Sequence, residues 1–194
     1  MPRSVRSLVL AALLLVSGSG AALACGSGML ISLLLRAYPV AKDAFMAEVY
    51  AVRDGTLPLI RLDDPAESGV SYHAQRMERA TEALLALDER LDDAIDGRPN
   101  LDSFVVFFVA EPMWSRVELT EQGAFLQIGD VKRADDEPTL HISARILELM
   151  AAGQLDFQQA KIAGYVALEG GPAQIDVIDD LLDAAYPPLV TSLN

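Results

Sequence analysis

The chain has 194 residues, 52 % of them apolar and 22 % charged, with a formal net charge of −13. That is enough for one domain with its own core plus an appendage, and it is not a disordered composition. A chain this acidic repels nucleic acid and anionic lipid surfaces, which excludes a nucleic-acid binder and electrostatic docking to membranes.

The first residues, MPRSVRSLVLAALLLVSGSGAALAC, read as an export signal. Arg3 and Arg6 form a basic start, and Leu8 to Val16 is an apolar run too short to span a bilayer alone. Ser17 to Gly20 breaks it, and Ala22 and Ala24 supply the small residues that a signal peptidase reads. Removing residues 1–24, with their two arginines, takes the charge from −13 to −15. An uncleaved anchor is the alternative, because apolar character resumes over Met29 to Leu35. Cys25 is the only cysteine, so the chain has no intrachain disulfide. Ala22-Leu23-Ala24-Cys25 resembles the lipobox of bacterial lipoproteins, with Ala22 where that family favours leucine. The resemblance implies lipidation of Cys25 and a durable acyl anchor. Ordinary cleavage leaving a free thiol is the other outcome.

From Gly28 to Gly69 the pattern is weakest. Pro39 interrupts any helix begun at Met29. Residues 41–52 are loosely helical and then extended, with a hairpin through Asp54-Gly55 as the alternative. Asp63 to Gly69 reads as a loop or linker. Tyr72 to Asp96 is the clearest helix. Met77, Ala80, Leu84, Leu87, Leu91 and Ile95 form one apolar stripe, stopped by Gly97 and Pro99.

Ser103 to Ala110 is a continuous apolar run rich in β-branched and aromatic residues, so it predicts a central strand covered on both faces. Trp114–Thr120 is the next strand, residues 121–123 its turn and Ala124–Gly129 its partner. Thr139–Ser143 is a fourth strand, with Leu140 and Ile142 on one side and His141 on the other. Ser143 caps a helix over 144–152, and Asp156 caps a short one ended by Gly164. Tyr165–Leu168 is a fifth strand, and an acidic amphipathic helix follows until Pro187-Pro188. The order predicts an α+β domain: about five strands, mostly antiparallel, with the helices largely on one face. The expected division is a signal at 1–24, an anchor or extension and linker at 25–70, the domain at 71–188 and a tail at 189–194.

No catalytic constellation is visible. His73 and His141 have no second histidine or cysteine at ligand spacing, and no nucleophile–histidine motif exists. His141 is expected to face solvent or to be satisfied by a neighbour. The pairs Asp63-Asp64, Asp92-Asp93, Asp135-Asp136 and Asp179-Asp180 lack the alternating ligands and turn glycine of a calcium loop. No phosphate-cradling loop is present. The expectation is therefore not an enzyme, with no metal and no cofactor. What the chain does hold is apolar capacity, either a solid core or one hollowed for a lipid.

WSRVELTEQGAFLQIGD, followed by ADDEPTLHISARILELMAAGQLDFQQAKIAGYVALEGG, resembles the sterol carrier protein type two domain. The elements that carry the resemblance are Trp114 opening a strand, the turn at Gly123 and the acidic step from Asp135 to Ser143. They continue through the helix stopped at Gly153, the helix from Ala160 to Gly164 and the strand from Tyr165 to Gly170. The resemblance covers about residues 72 to 186. It implies an α+β fold with an apolar tunnel between sheet and helices. It also implies non-enzymatic binding or transfer of a sterol, fatty acyl chain or similar lipid. Cavity residues on this reading are Phe104, Val106, Phe108, Trp114, Leu126 and Ile128 from the strands. Leu147, Met150, Ile162, Val166 and Leu168 come from the segment that follows. Most relatives are intracellular, whereas this chain carries an export signal, which points to a periplasmic or lipid-anchored variant. The partner expected is a hydrophobic small molecule or lipid, with membrane contact through the N-terminal anchor. The alternative is a structural or assembly-factor lipoprotein with a filled core that acts through a protein partner.

Overall fold

The computed structural model describes residues 36–95, 103–111, 113–120, 123–129 and 131–189. The expected signal, Cys25 and the stop residues Gly97 and Pro99 lie outside the described residues. The chain divides between Tyr38 and Pro39, and the second unit, Pro39–Asn194, carries the sheet.

That second unit opens with helix α1 (Pro39–Arg53). Its buried positions, Ala41, Ala44, Glu48 and Ala51, recur at helical spacing. Small side chains there let the helix lie close against β4 and β5, the strands defined below. Helix α1 is thus one of the packing elements of the sheet-bearing unit. The segment expected as a plain linker contains a one-turn helix, α2 (Pro65–Ser68). Asp64 caps it by accepting the Ala66 N–H at 2.9 Å, and Gly69, at φ 72°, closes it. Helix α3 (Tyr72–Ile95) follows the predicted stripe, burying Ala80, Leu84, Leu87, Leu91 and Ile95.

The sheet has five strands in the order β3-β2-β1-β4-β5. They are β1 (Ser103–Phe108), β2 (Met113–Thr120), β3 (Gly123–Ile128), β4 (Thr139–Ile142) and β5 (Ala167–Glu169). Only β1–β4 is parallel, with Val105 opposite Thr139, so the sheet is mixed and mostly antiparallel. The central β1 is buried on both faces, with Phe104 and Val105 each at 0 % exposure. Strand β5 starts two residues later than the pattern suggested. The Tyr165 N–H is still committed to the Ala160 carbonyl at 2.9 Å, closing the helix before it.

Helices α4 (Ala144–Ala151), α5 (Phe157–Ile162) and α6 (Pro172–Ala185) complete the unit. Ser143 caps α4, and Asp156 forms a capping box with Gln159 at the start of α5. Together with α3 they cover the sheet face that carries Phe104, Val106, Phe108, Val117, Leu140 and Ile142. The result is α+β with its main core in one layer between sheet and helices.

Candidate functional site

The structure sorts the expected cavity residues into two groups. Phe104, Val106, Phe108, Leu147, Met150 and Val166 belong to one continuous apolar layer between sheet and helices, and Leu126 and Leu168 pack on its margin. Trp114 does not. Successive strand residues alternate faces, and Trp114 stacks on Phe107 on the opposite face, ring centroids 4.3 Å apart. Ile128, at the end of edge strand β3, is 41 % exposed. Ile162 is 85 % exposed, because α5 turns Phe157 and Ala160 inward and leaves position 162 on its far side. These three residues are therefore not part of the layer.

Between α1, α3, α4 and the β1–β2 turn lies a charged cluster that the sequence did not reveal. Glu48 occupies a position in the buried stripe of α1, and its carboxylate meets Arg145 Nη1 of α4 at 3.1 Å. The Ser143 hydroxyl also bonds Glu48 while accepting the Ile146 N–H at 3.3 Å. Glu111, in the turn between β1 and β2, receives the Ala144 N–H at the first turn of α4 at 3.5 Å. Arg79 of α3 pairs with Glu148 of α4 through two donors, Nε to Oε1 at 3.0 Å and Nη2 to Oε2. Burial pushes the Glu48 carboxyl up, against the pull of Ser143, Arg145 and Arg79. Burial likewise pushes Glu111 up to about 7; the Ala144 N–H opposes this, Glu48 adds to it, and Arg79 and Arg76 oppose it. The cluster ties α1, α3, α4 and the β1–β2 turn together. Its one hydroxyl is committed at both ends, so it has no free nucleophile. A carboxylate at the Ala44–Glu48–Ala51 spacing was the only trace of it in the sequence.

His141 is fully buried and not solvent-facing. Its Nε2 lies 3.0 Å from Glu169 Oε2, and Glu169 also takes Arg133 Nη2 at 2.8 Å. Burial holds the imidazole below its usual pKa, so it is neutral. Partial burial raises Glu169, but the bonds from Arg133 and His141 bring it below the usual carboxylate range. Nε2 is thus the donor to an ionised carboxylate. His73 is exposed, before the first buried position of α3. Three of the four Asp-Asp pairs have local duties: Asp64 caps α2, Asp92 accepts the Ala124 N–H at 2.7 Å, and Asp179 pairs with Lys161. Among the described residues no group of three or more histidine, cysteine or acidic side chains is placed to hold a metal. Among the same residues no helix is long and apolar enough to cross a membrane.

No protein-family model matches the chain, and no curated protein sequence does. Its fold is similar in part to a double mutant of a sec-alkyl sulfatase, with 23 % identity and a TM-score of 0.39. It is similar in the same way to the stereoselective inverting sec-alkylsulfatase from Pseudomonas sp., with 19 % identity and a TM-score of 0.36. Those alignments cover 49 % and 50 % of this chain and 15 % of each sulfatase chain. A third similarity is to sterol carrier protein 2 from Yarrowia lipolytica in its apo form. It has 14 % identity and a TM-score of 0.33, over 60 % of this chain and 93 % of that one. At these scores the functional reading rests on the chain's own residues.

Proposed function

We propose that this protein is a non-enzymatic α+β domain that binds or transfers a hydrophobic ligand such as a sterol or fatty acyl chain. The observation that carries the reading is the single apolar layer between the inner sheet face and α3, α4, α5 and α6. Burying hydrocarbon contributes about 0.8 kcal/mol per CH₂, so a long chain held in such a layer needs few polar contacts. The sequence resemblance to the sterol carrier type two domain supports the same reading. From Tyr72 to Ala185 the order of elements, a helix, three strands, a fourth strand, two helices, a fifth strand and a last helix, agrees with it. In this proposal residues 1–24 export the chain, and Cys25 either carries lipid or is left as a free thiol in the periplasm.

Native mass spectrometry of the purified protein, with displacement of a fluorescent fatty acid, tests the reading. A co-purifying lipid or saturable displacement is expected. Their joint absence overturns it, and recovery of a stoichiometric protein partner from membranes would then favour an assembly-factor role.

A further inference from the structure

Helix α1 is held to its unit by small side chains. Its buried positions are three alanines, Ala41, Ala44 and Ala51, and one carboxylate, Glu48. Phe45 and Met46 beside them are only half-buried. By contrast α3 buries Leu84, Leu87 and Leu91, and α6 buries Ile178, Leu181 and Leu182. An alanine removes far less apolar area from water than a leucine does, so α1 gains less from docking than either of these helices. The specific fastening is Glu48, whose carboxylate meets Arg145 Nη1 at 3.1 Å with 8 % and 18 % of the two side chains exposed.

That fastening shares its footing with a second carboxylate. Arg145 is the second residue of α4, and the N–H of the first, Ala144, donates to Glu111 Oε2 at 3.5 Å. Consecutive residues of one helical turn thus hold two acids, one from α1 and one from the β1–β2 turn. The cations facing them are Arg145 of α4 and Arg79 and Arg76 of α3, and Arg79 is already paired with Glu148. Arg145 Nε is buried with no acceptor. The first turn of α4 therefore gives Glu48 a direct cation and gives Glu111 only a peptide N–H. Glu111 lies in a turn closed by the pairing of Phe108 with Met113, so it withdraws only if the sheet opens. Glu48 withdraws with α1 alone.

Burial pushes both carboxyls up, and the charge of Glu48 adds to the effect at Glu111. Departure of α1 carries Glu48 into water and away from Glu111. The detached state then gives up protons that the docked state holds, so detachment grows easier as pH rises from 4.5 to about 7 and levels off above that.

We propose that α1 is a strap on β4 and β5, fastened through Glu48 and released as the carboxylates at the first turn of α4 ionise. Release bares the part of β4 and β5 that α1 packs against. The strap works whatever fills the apolar layer, so it does not depend on the hydrophobic-ligand reading.

Hydrogen exchange of the purified full chain, read by mass spectrometry at pH 5 and pH 8 and corrected for the intrinsic effect of pH, tests it. At both values peptides from α1 are expected to be about tenfold or more less protected than peptides from α3, because α1 opens without global unfolding. From pH 5 to pH 8 α1 should lose about a further tenfold, one pH unit out of the Glu111 shift from 4.5 to about 7, since Glu48 supplies only part of that shift. Glu48→Gln keeps an oxygen for Arg145 and carries no charge, so it is expected to abolish this further loss, and Glu111→Gln to reduce it. Equal protection of α1 and α3 in the wild-type chain overturns the proposal, as does an α1 protection that stays constant between the two pH values. A loss undiminished in Glu48→Gln overturns it as well.

Discussion

Replacing Glu111 by glutamine tests the charged cluster at the start of α4. The amide keeps an oxygen for the Ala144 N–H and the shape of the side chain, and it removes the charge. The Glu111 carboxyl rises from an ordinary 4.5 to about 7 in the folded chain. Between those values the folded state holds a proton that the unfolded state has lost, so stability falls as pH rises through the window. Below pH 4.5 both states are protonated and nothing is lost; above pH 7 the loss is complete. At about 1.4 kcal/mol per pH unit the full effect is about 3 kcal/mol. Glu111 is only partly buried, which discounts this to about 2 kcal/mol. Glu111→Gln is therefore expected to be more stable than wild type by about 2 kcal/mol at pH 8.5, or roughly 4–8 °C for a domain of this size. The two should converge at pH 4.5. Glu48 and His141 also titrate abnormally, but they are present in both proteins, and the difference isolates Glu111 and its coupling to Glu48. Urea unfolding followed by circular dichroism at the two pH values measures it. An equal wild-type-to-variant difference at both values, or a variant less stable at pH 8.5, would refute the reasoning.

Arg145→Ala should be worse than an ordinary surface change, because it leaves the Glu48 carboxylate buried without its cation; a loss of about 3 kcal/mol is expected in the same unfolding assay. Restoring Glu48→Gln in that background should recover part of it, and no recovery would show that the pair does not act together. Gly123→Ala places a Cβ 2.5 Å from Asp92 Oδ1 at a backbone φ of +131°. It should break the Asp92 bond to the Ala124 N–H and cost about 2 kcal/mol or more, while a melting temperature within a degree of wild type would count against the geometry. The imidazole of His141, followed by NMR, should titrate below pH 6.5 with its proton on Nε2; a midpoint above 6.5 would contradict the burial that holds it neutral.

Much of the fold was legible because each element announces itself locally. The α3 stripe, the all-apolar β1, and the caps at Ser143 and Asp156 are short-range signals, and the structure places elements where they predict. The exceptions share one physical cause, a competition that only tertiary contact decides. The loosely patterned α1 becomes part of the domain because a row of alanines fits the sheet. The start of β5 waits until the α5 backbone is satisfied. The layer residues were found from apolar character alone, but Ile162 has the same character and faces water. Helix rotation separates it from Met150, and a six-residue helix shows too little pattern to fix that rotation. The charged cluster was illegible because Glu48, Glu111 and Arg145 come from three separate elements.

The parallel pairing of β1 with β4 also sets the order in which the chain becomes safe from aggregation. Strand β1, SFVVFF, carries no charge and no proline, the composition that joins most readily with copies of itself. Its β2 edge is closed by a tight antiparallel connection, which forms on the microsecond scale. Its other edge stays open until Thr139 to Ile142 arrive from beyond β3, a long-range closure that is intrinsically slow. In the folded chain β1 is central, flanked on both sides, whereas β5 at one border is only three residues long and offers little to pair with. During synthesis the ranking is reversed. The interval between the two closures is when this chain most needs dilution or a chaperone, and a destabilised β4 would lengthen it without touching β1.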